Sequence, residues 1–227
     1  MGYHVWIRSA KLWAPVLKRA WGWLLFSMIV EESFTYAVGS ISKSDERTYI
    51  VGGILALFLQ LILSAVGIVI INQMVWDDLK QMRSKVFESL NRNLKYVFIE
   101  STRALLPVLL KSLLLVIPGF IEGIRLYFVP YIAQFDQAYK KGQVDALQRS
   151  RALVNQRFFP VMGVLAVTFI LSIVPRLYLE SIDISTKPVY YIFIFAFCLS
   201  VELYGDIVLF FTYIRLEELH GDPLSLR

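Results

Sequence analysis

Five ionisable residues stand where the surrounding sequence is otherwise fit for a membrane interior: Lys111, Glu122, Arg125, Glu202 and Asp206. Charged side chains are costly in hydrocarbon, so where they occur they face protein or water. Glu122 and Arg125 are three residues apart, and Glu202 and Asp206 four apart, so each pair shares one face of a helix. Two kinds of chemistry suit such residues. One is a polar path for an ion or a lipid headgroup; the other is an internal ion-pair network that fixes helix packing. The near balance of sign, three acids against two bases, favours the network. Catalytic signatures are missing: no His-Glu-x-x-His, Walker loop or Gly-x-Ser-x-Gly elbow occurs. The only histidines, His4 and His220, lie at opposite ends of the chain. The expectation is a non-enzymatic protein with no catalytic set, no cofactor and no metal site.

The elements that hold these residues are membrane elements. The chain has 227 residues, of which 57% are apolar and 18% charged, with a mean hydropathy of +0.58. Those values fall outside the soluble norm. Residues 51–71 contain no charge at all, enough to span a bilayer. No small-residue cleavage pattern follows the first apolar run, so no secretory signal is expected. Cys198 is the only cysteine, which excludes a disulfide framework. The net charge of +5 is not a nucleic-acid footprint, because the basic residues gather beside the apolar runs, where membrane topology explains them.

Taken in order, residues 1–19 carry Tyr3, Trp6, Ala10, Trp13 and Leu17 on one side and Arg8, Lys11 and Lys18 on the other, and read equally as an amphipathic interfacial helix or as a cytoplasmic extension of the first span. Spans are expected at about 20–38, 49–76, 104–117, 119–133, 158–177 and 189–214, forming one integral membrane domain over 1–227. Glu31 and Glu32 sit near the outer end of the first span, where one can reach water. Residues 77–103 and 134–157 are basic and amphipathic, and read as helices resting on the membrane surface. Within the second, Asp145 and Arg149 have the spacing of a helical ion pair. Arg149, Arg151 and Arg157 are candidates for contact with anionic lipid or an acidic partner.

The stretch 104–133 decides the topology. Thirty residues of helix would measure about 45 Å against a hydrocarbon core of about 30 Å. Pro118 removes an amide donor and Gly119 tolerates unusual backbone angles, so the sequence expects a hairpin broken at Pro118-Gly119. Charge agrees with it. If the chain turns back there, 17 of the 23 Lys and Arg residues lie on the cytoplasmic side and four outside, while Lys111 and Arg125 lie within the membrane. The fold class expected is therefore an all-α, polytopic transmembrane bundle of about six spans with both termini cytoplasmic.

The runs Ile117-Pro118-Gly119, Arg125-Leu126-Tyr127-Phe128-Val129-Pro130-Tyr131 and Asp145-Ala146-Leu147-Gln148-Arg149-Ser150, continued by Leu153-Val154 and Arg157-Phe158, are together similar to the YciC-like proteins. That family is related to the membrane domain attached to some glycerophosphodiester phosphodiesterases. The resemblance is best over about 112–160 and extends over 80–216. It implies an all-helical bundle of about six spans in a bacterial cytoplasmic (inner) membrane, and it transfers no catalytic residues. A phosphodiesterase barrel has no room here, since such a barrel needs about 250 residues. The partners expected are the lipid bilayer, anionic lipids, and a membrane protein or a second copy of the chain, with no nucleic acid. An accessory or scaffold role in envelope or lipid homeostasis follows as the first reading. The second is a small transporter or lipid-handling protein that uses the buried charges.

Overall fold

A computed structural model gives the fold, and it describes residues 2–41, 46–81, 86–180 and 188–220. Among these, the chain is helical apart from short turns. The helices are α1 (Gly2–Ile41), α2 (Glu46–Lys80), α3 (Val86–Leu114), α4 (Val116–Leu126), α5 (Val129–Phe135), α6 (Gln137–Lys140), α7 (Ala146–Asn155), α8 (Phe158–Glu180) and α9 (Pro188–Leu219). Four stretches are long and apolar enough to cross a membrane: Val51–Lys80, Val116–Phe135, Phe158–Pro175 and Phe193–Leu219. Lys43, Arg83, Lys85, Lys187 and Arg227 of the charge count lie outside the described residues, as do the side chains of Glu31 and Glu32.

The segments expected to rest on a membrane surface are instead built into the bundle. Residues 2–19 continue without a break into α1, and Val5, Ser9 and Val16 are buried. Their partner is α9: Trp13 Nε1 donates to the Ser200 carbonyl at 2.9 Å, and the Tyr204 hydroxyl donates to the Trp6 carbonyl at 3.1 Å. Further along α1, Arg19 reaches α2, bonding the Met74 carbonyl and pairing with Asp78 at 2.7 Å.

The basic segment after α2 likewise becomes the start of α3. Its inward face, Asn93, Val97, Glu100 and Ala104, is buried. Ser89 Oγ donates to Gln73 Oε1 at 2.7 Å near one end of the α2–α3 contact, and the Phe58 and Phe98 rings meet further along it. The two helices therefore run antiparallel. In sequence, the polar stripe of a bundle helix looks the same as that of a surface helix.

The interruption of the long apolar stretch falls at Leu115, where the backbone is extended at φ −157 and ψ 136. Pro118 and Gly119 lie just beyond it, in the first turn of α4, so the break precedes the dipeptide expected to form it. The cause is still Pro118. In a continuous helix its ring would collide with the Leu114 carbonyl, four residues back, whereas in a first turn its missing N–H is not needed. Past Leu115, α4 and α5 return along α3. Lys111 on α3 meets Glu122 on α4, and further back Glu100 meets Tyr139 and Asn93 meets Lys140.

Where α5 returns, an aromatic core forms with α9 and α2. Phe128 and Tyr213 stack with centroids 6.1 Å apart, Tyr131 lies against Phe210, and Trp76 closes the cluster on Phe135 and Phe210. Two aspartates start the short helices that follow. Asp136 accepts the Ala138 and Tyr139 amides to begin α6, and Asp145 accepts the Leu147 and Gln148 amides to begin α7. Gly142, at φ +70, stops α6 in the left-handed conformation that glycine adopts without strain.

Candidate functional site

The short helix α7 carries the densest set of ion pairs among the described residues. Its N-cap and three of its polar side chains reach other parts of the bundle. Asp145, at its N-cap, pairs with Arg103 of α3, which also contacts Glu100 at 3.3 Å. Arg149 crosses to Glu217 of α9 at 2.7 Å and lies 3.7 Å from Asp136, between α5 and α6. The Ser150 hydroxyl donates to the Arg125 carbonyl of α4 at 2.7 Å. Arg151 reaches Glu122 of α4, its Nε and a terminal nitrogen both on Oε1, at 2.8 and 2.6 Å. Lys111 of α3 takes the other oxygen, Oε2, at 2.6 Å. The apolar side of α7, from Ala146 and Leu147 to Leu153 and Val154, is buried beneath these contacts.

Geometry explains why Asp145 does not pair with Arg149 as the spacing predicts. Asp145 caps the helix, so its carboxylate turns back to the first-turn amides and leaves the helix face. Arg149 is then free to find Glu217, and Asp145 takes Arg103. Burial raises the Asp145 pKa, but the Gln148 amide, the Arg103 guanidinium and the Leu147 amide outweigh it and hold the carboxyl below the usual range. Nearby, the Tyr139 hydroxyl donates to Glu100 at 3.1 Å, and burial together with that carboxylate pushes the phenol up to about 12.

The five membrane-depth residues singled out by sequence do not assemble into one cluster. Lys111 and Glu122 meet directly across the hairpin. Arg125 is not the cation on Glu122, although the two are only three residues apart; its Nε is buried without a hydrogen-bond partner among the described residues. Glu202 and Asp206 lie one turn apart on α9, both half-buried, with Asp206 within electrostatic range of Tyr127 and Tyr131.

Of the three arginines assigned to an anionic surface, Arg149 turns into the protein, while Arg151 pairs with Glu122 and keeps its side chain 37% exposed. For Arg149 the buried Glu217 carboxylate supplies a stronger and better-oriented partner than a headgroup layer. Arg157 lies on the surface. The partners that sequence missed, Arg103, Asp136 and Glu217, are 42, 13 and 68 positions from the α7 residues they meet. Only the caps had a local signal, since Asp136 and Asp145 each precede a short helical run.

Comparison with protein-family models, with curated proteins and with solved structures finds no match to this chain.

Proposed function

We propose that the chain is a multi-pass protein of a bacterial cytoplasmic membrane that acts as an accessory or scaffold subunit in envelope or lipid homeostasis, without enzymatic activity. The observation that carries this reading is the consumption of charge by the fold itself. Glu122, with a side chain only 1% exposed, is covered by two cations, and Glu217, at 3%, is covered by Arg149. Charges spent on one another in this way hold helices in register and leave little for chemistry. The α7 clasp ties α3, α4, α5 and α9 together, as a platform for another protein requires.

In this reading α1 crosses the membrane beside the four long apolar stretches, and α3 with α4 forms a hairpin through it. The result is six crossings with both termini in the cytoplasm. The YciC-like resemblance agrees with that count and location.

A second reading rests on a separate observation. Glu202 and Asp206 stand on one face of α9, with Asp206 near Tyr127 and Tyr131, an arrangement that suits passage of a proton or cation. Purification from mild detergent followed by mass spectrometry separates the two. A stoichiometric protein partner supports the scaffold. If no partner co-purifies, and Asp206→Asn leaves a well-folded protein that has lost its cellular role, the scaffold reading fails and transport replaces it.

A further inference from the structure

Glu122 is the one carboxylate among the described residues that contacts Lys111 or Arg151, so two cations share a single negative charge. The group therefore holds one surplus positive charge. It is not hidden: the Lys111 and Arg151 side chains are 43% and 37% exposed, while the carboxylate beneath them is buried. Both cations keep N–H donors that Glu122 does not take.

The surroundings of this charge are apolar. Four residues beyond Lys111 the hairpin turns, and Leu113, Leu114, Val116, Ile117 and Phe120 at the turn are all more than 60% exposed. No water-soluble surface needs such a tip. In a membrane it faces acyl chains, and a surplus charge beside acyl chains demands a counterion. Lys and Arg near a bilayer draw their polar ends to the headgroup level, where the available anion is a phosphodiester.

We propose that Lys111 and Arg151 form a binding site for the phosphate of one anionic phospholipid, whose acyl chains lie along the exposed apolar residues of the hairpin. Glu122 orients the two cations and is not itself a ligand. The inference rests on the membrane reading of the hairpin, and it holds whichever leaflet supplies the lipid. The phosphate oxygens would accept from an ammonium and a guanidinium held together by a buried carboxylate, a preorganised pair that loose surface lysines do not provide.

The charge arithmetic makes the test specific. Replacing either cation with a neutral residue removes the surplus yet leaves Glu122 with one partner, so the fold should persist. Purified full-length protein, stripped of lipid in detergent, is titrated with phosphatidylglycerol, with phosphatidylcholine and with inorganic phosphate, and bound species are counted by native mass spectrometry. The wild type should retain one phosphatidylglycerol in preference to phosphatidylcholine. Lys111→Gln and Arg151→Gln should each weaken that binding about fivefold or more, with unchanged helicity by circular dichroism. Lys111→Arg should restore it.

Equal binding of the two lipids by the wild type, or undiminished binding by both neutral variants, overturns the site. Displacement of lipid by inorganic phosphate assigns the cations to a soluble anion and overturns the lipid. If both single variants unfold, Glu122 requires both cations, no surplus charge exists, and the proposal also fails. None of these outcomes touches the scaffold reading, which is decided by co-purifying protein.

Discussion

Gly119 approaches the backbone of Ser112 so closely that a methyl group on it would lie 2.7 Å from the Ser112 Cα, and nearer still to its Oγ. This contact sets how tightly α4 folds back on α3. Because the obstructing atom belongs to the backbone, no rotamer change relieves it. Gly119→Ala should therefore destabilise the protein by about 1–3 kcal/mol, the usual cost of overpacking. Gly123, one turn on, is the control: a methyl there would meet Val108 at 3.9 Å, an ordinary contact. Gly123→Ala should leave stability unchanged or raise it by up to about 1 kcal/mol through helix propensity. Melting of the two variants in detergent, followed by size-exclusion fluorescence, checks the contrast. Equal melting would mean the hairpin is looser than this packing.

The Arg149–Glu217 pair gives a second prediction. Glu217 is nearly inaccessible, and Arg149 supplies its counter-charge at 2.7 Å. Arg149→Met leaves that carboxylate buried and unpaired, which should cost about 3–5 kcal/mol. Adding Glu217→Met should recover much of the loss, because an apolar pair of similar volume is often as stable as a buried ion pair. Arg157→Gln, at an exposed position, should change stability by no more than about 0.5 kcal/mol. A double variant no better folded than Arg149→Met alone would show that Arg149 acts through Asp136 instead.

Helix existence and apolar character were legible from residues 51–71 alone, because an uncharged run of that length has few other uses. A break in the helix near Pro118 was legible too, although its position was not. Proline forbids helix upstream of itself, so the extended residue appears at Leu115 and the dipeptide only marks the region. The site was the least legible part. Sequence spacing relates residues along one helix: it pairs Asp145 with Arg149 and puts Glu122 and Arg125 on one face. The structure gives these residues partners on other helices, Arg103 with Asp145, Glu217 with Arg149, and Lys111 and Arg151 with Glu122. Nothing in a single sequence encodes which two helices will lie side by side.

Asp145 yields a prediction in pH. Its carboxyl sits below the ordinary range in the folded protein, despite the opposing effect of burial, because two amides and Arg103 favour the ionised form. A depressed acid contributes stability above its unfolded pKa of about 3.9, and that contribution fades as pH falls through the folded value. Melting temperature should therefore fall on acidification below about pH 4, and Asp145→Asn should flatten part of that fall. Asparagine still caps a helix, so at pH 7 the variant should lose about 1 kcal/mol or less from the cap, plus its modest share of a half-exposed ion pair. A pH profile identical to the wild type would remove Asp145 from the acid-sensitive groups.

The last prediction concerns how far the hairpin reaches. Exposed apolar residues run from Tyr96 through Ile99, Leu106 and Leu110 on α3 to Leu115 just past its end, with Thr102 and Arg103 exposed among them. Those nineteen steps of helix amount to about 28 Å, close to the thickness of a hydrocarbon core. The antiparallel contact of α3 with α2 places the tip near the start of α2 and the α2 C-terminus near the start of α3. On the six-crossing reading this hairpin crosses completely, with Arg151 of α7 meeting Glu122 a few residues from its tip. Reporter fusions after Asp136, Asn155 and His220 should then all read cytoplasmic. A cysteine placed at Leu115, in a Cys198→Ser background, should react with an impermeant maleimide added from outside the cell. A periplasmic signal at Asn155 would mean that 104–133 crosses once and that five crossings replace six. If the fusions read cytoplasmic but Leu115 resists labelling in intact cells and reacts only after detergent, the tip ends inside the bilayer. The α3–α4 hairpin would then be a wedge entering from the cytoplasmic face, with four full crossings around it.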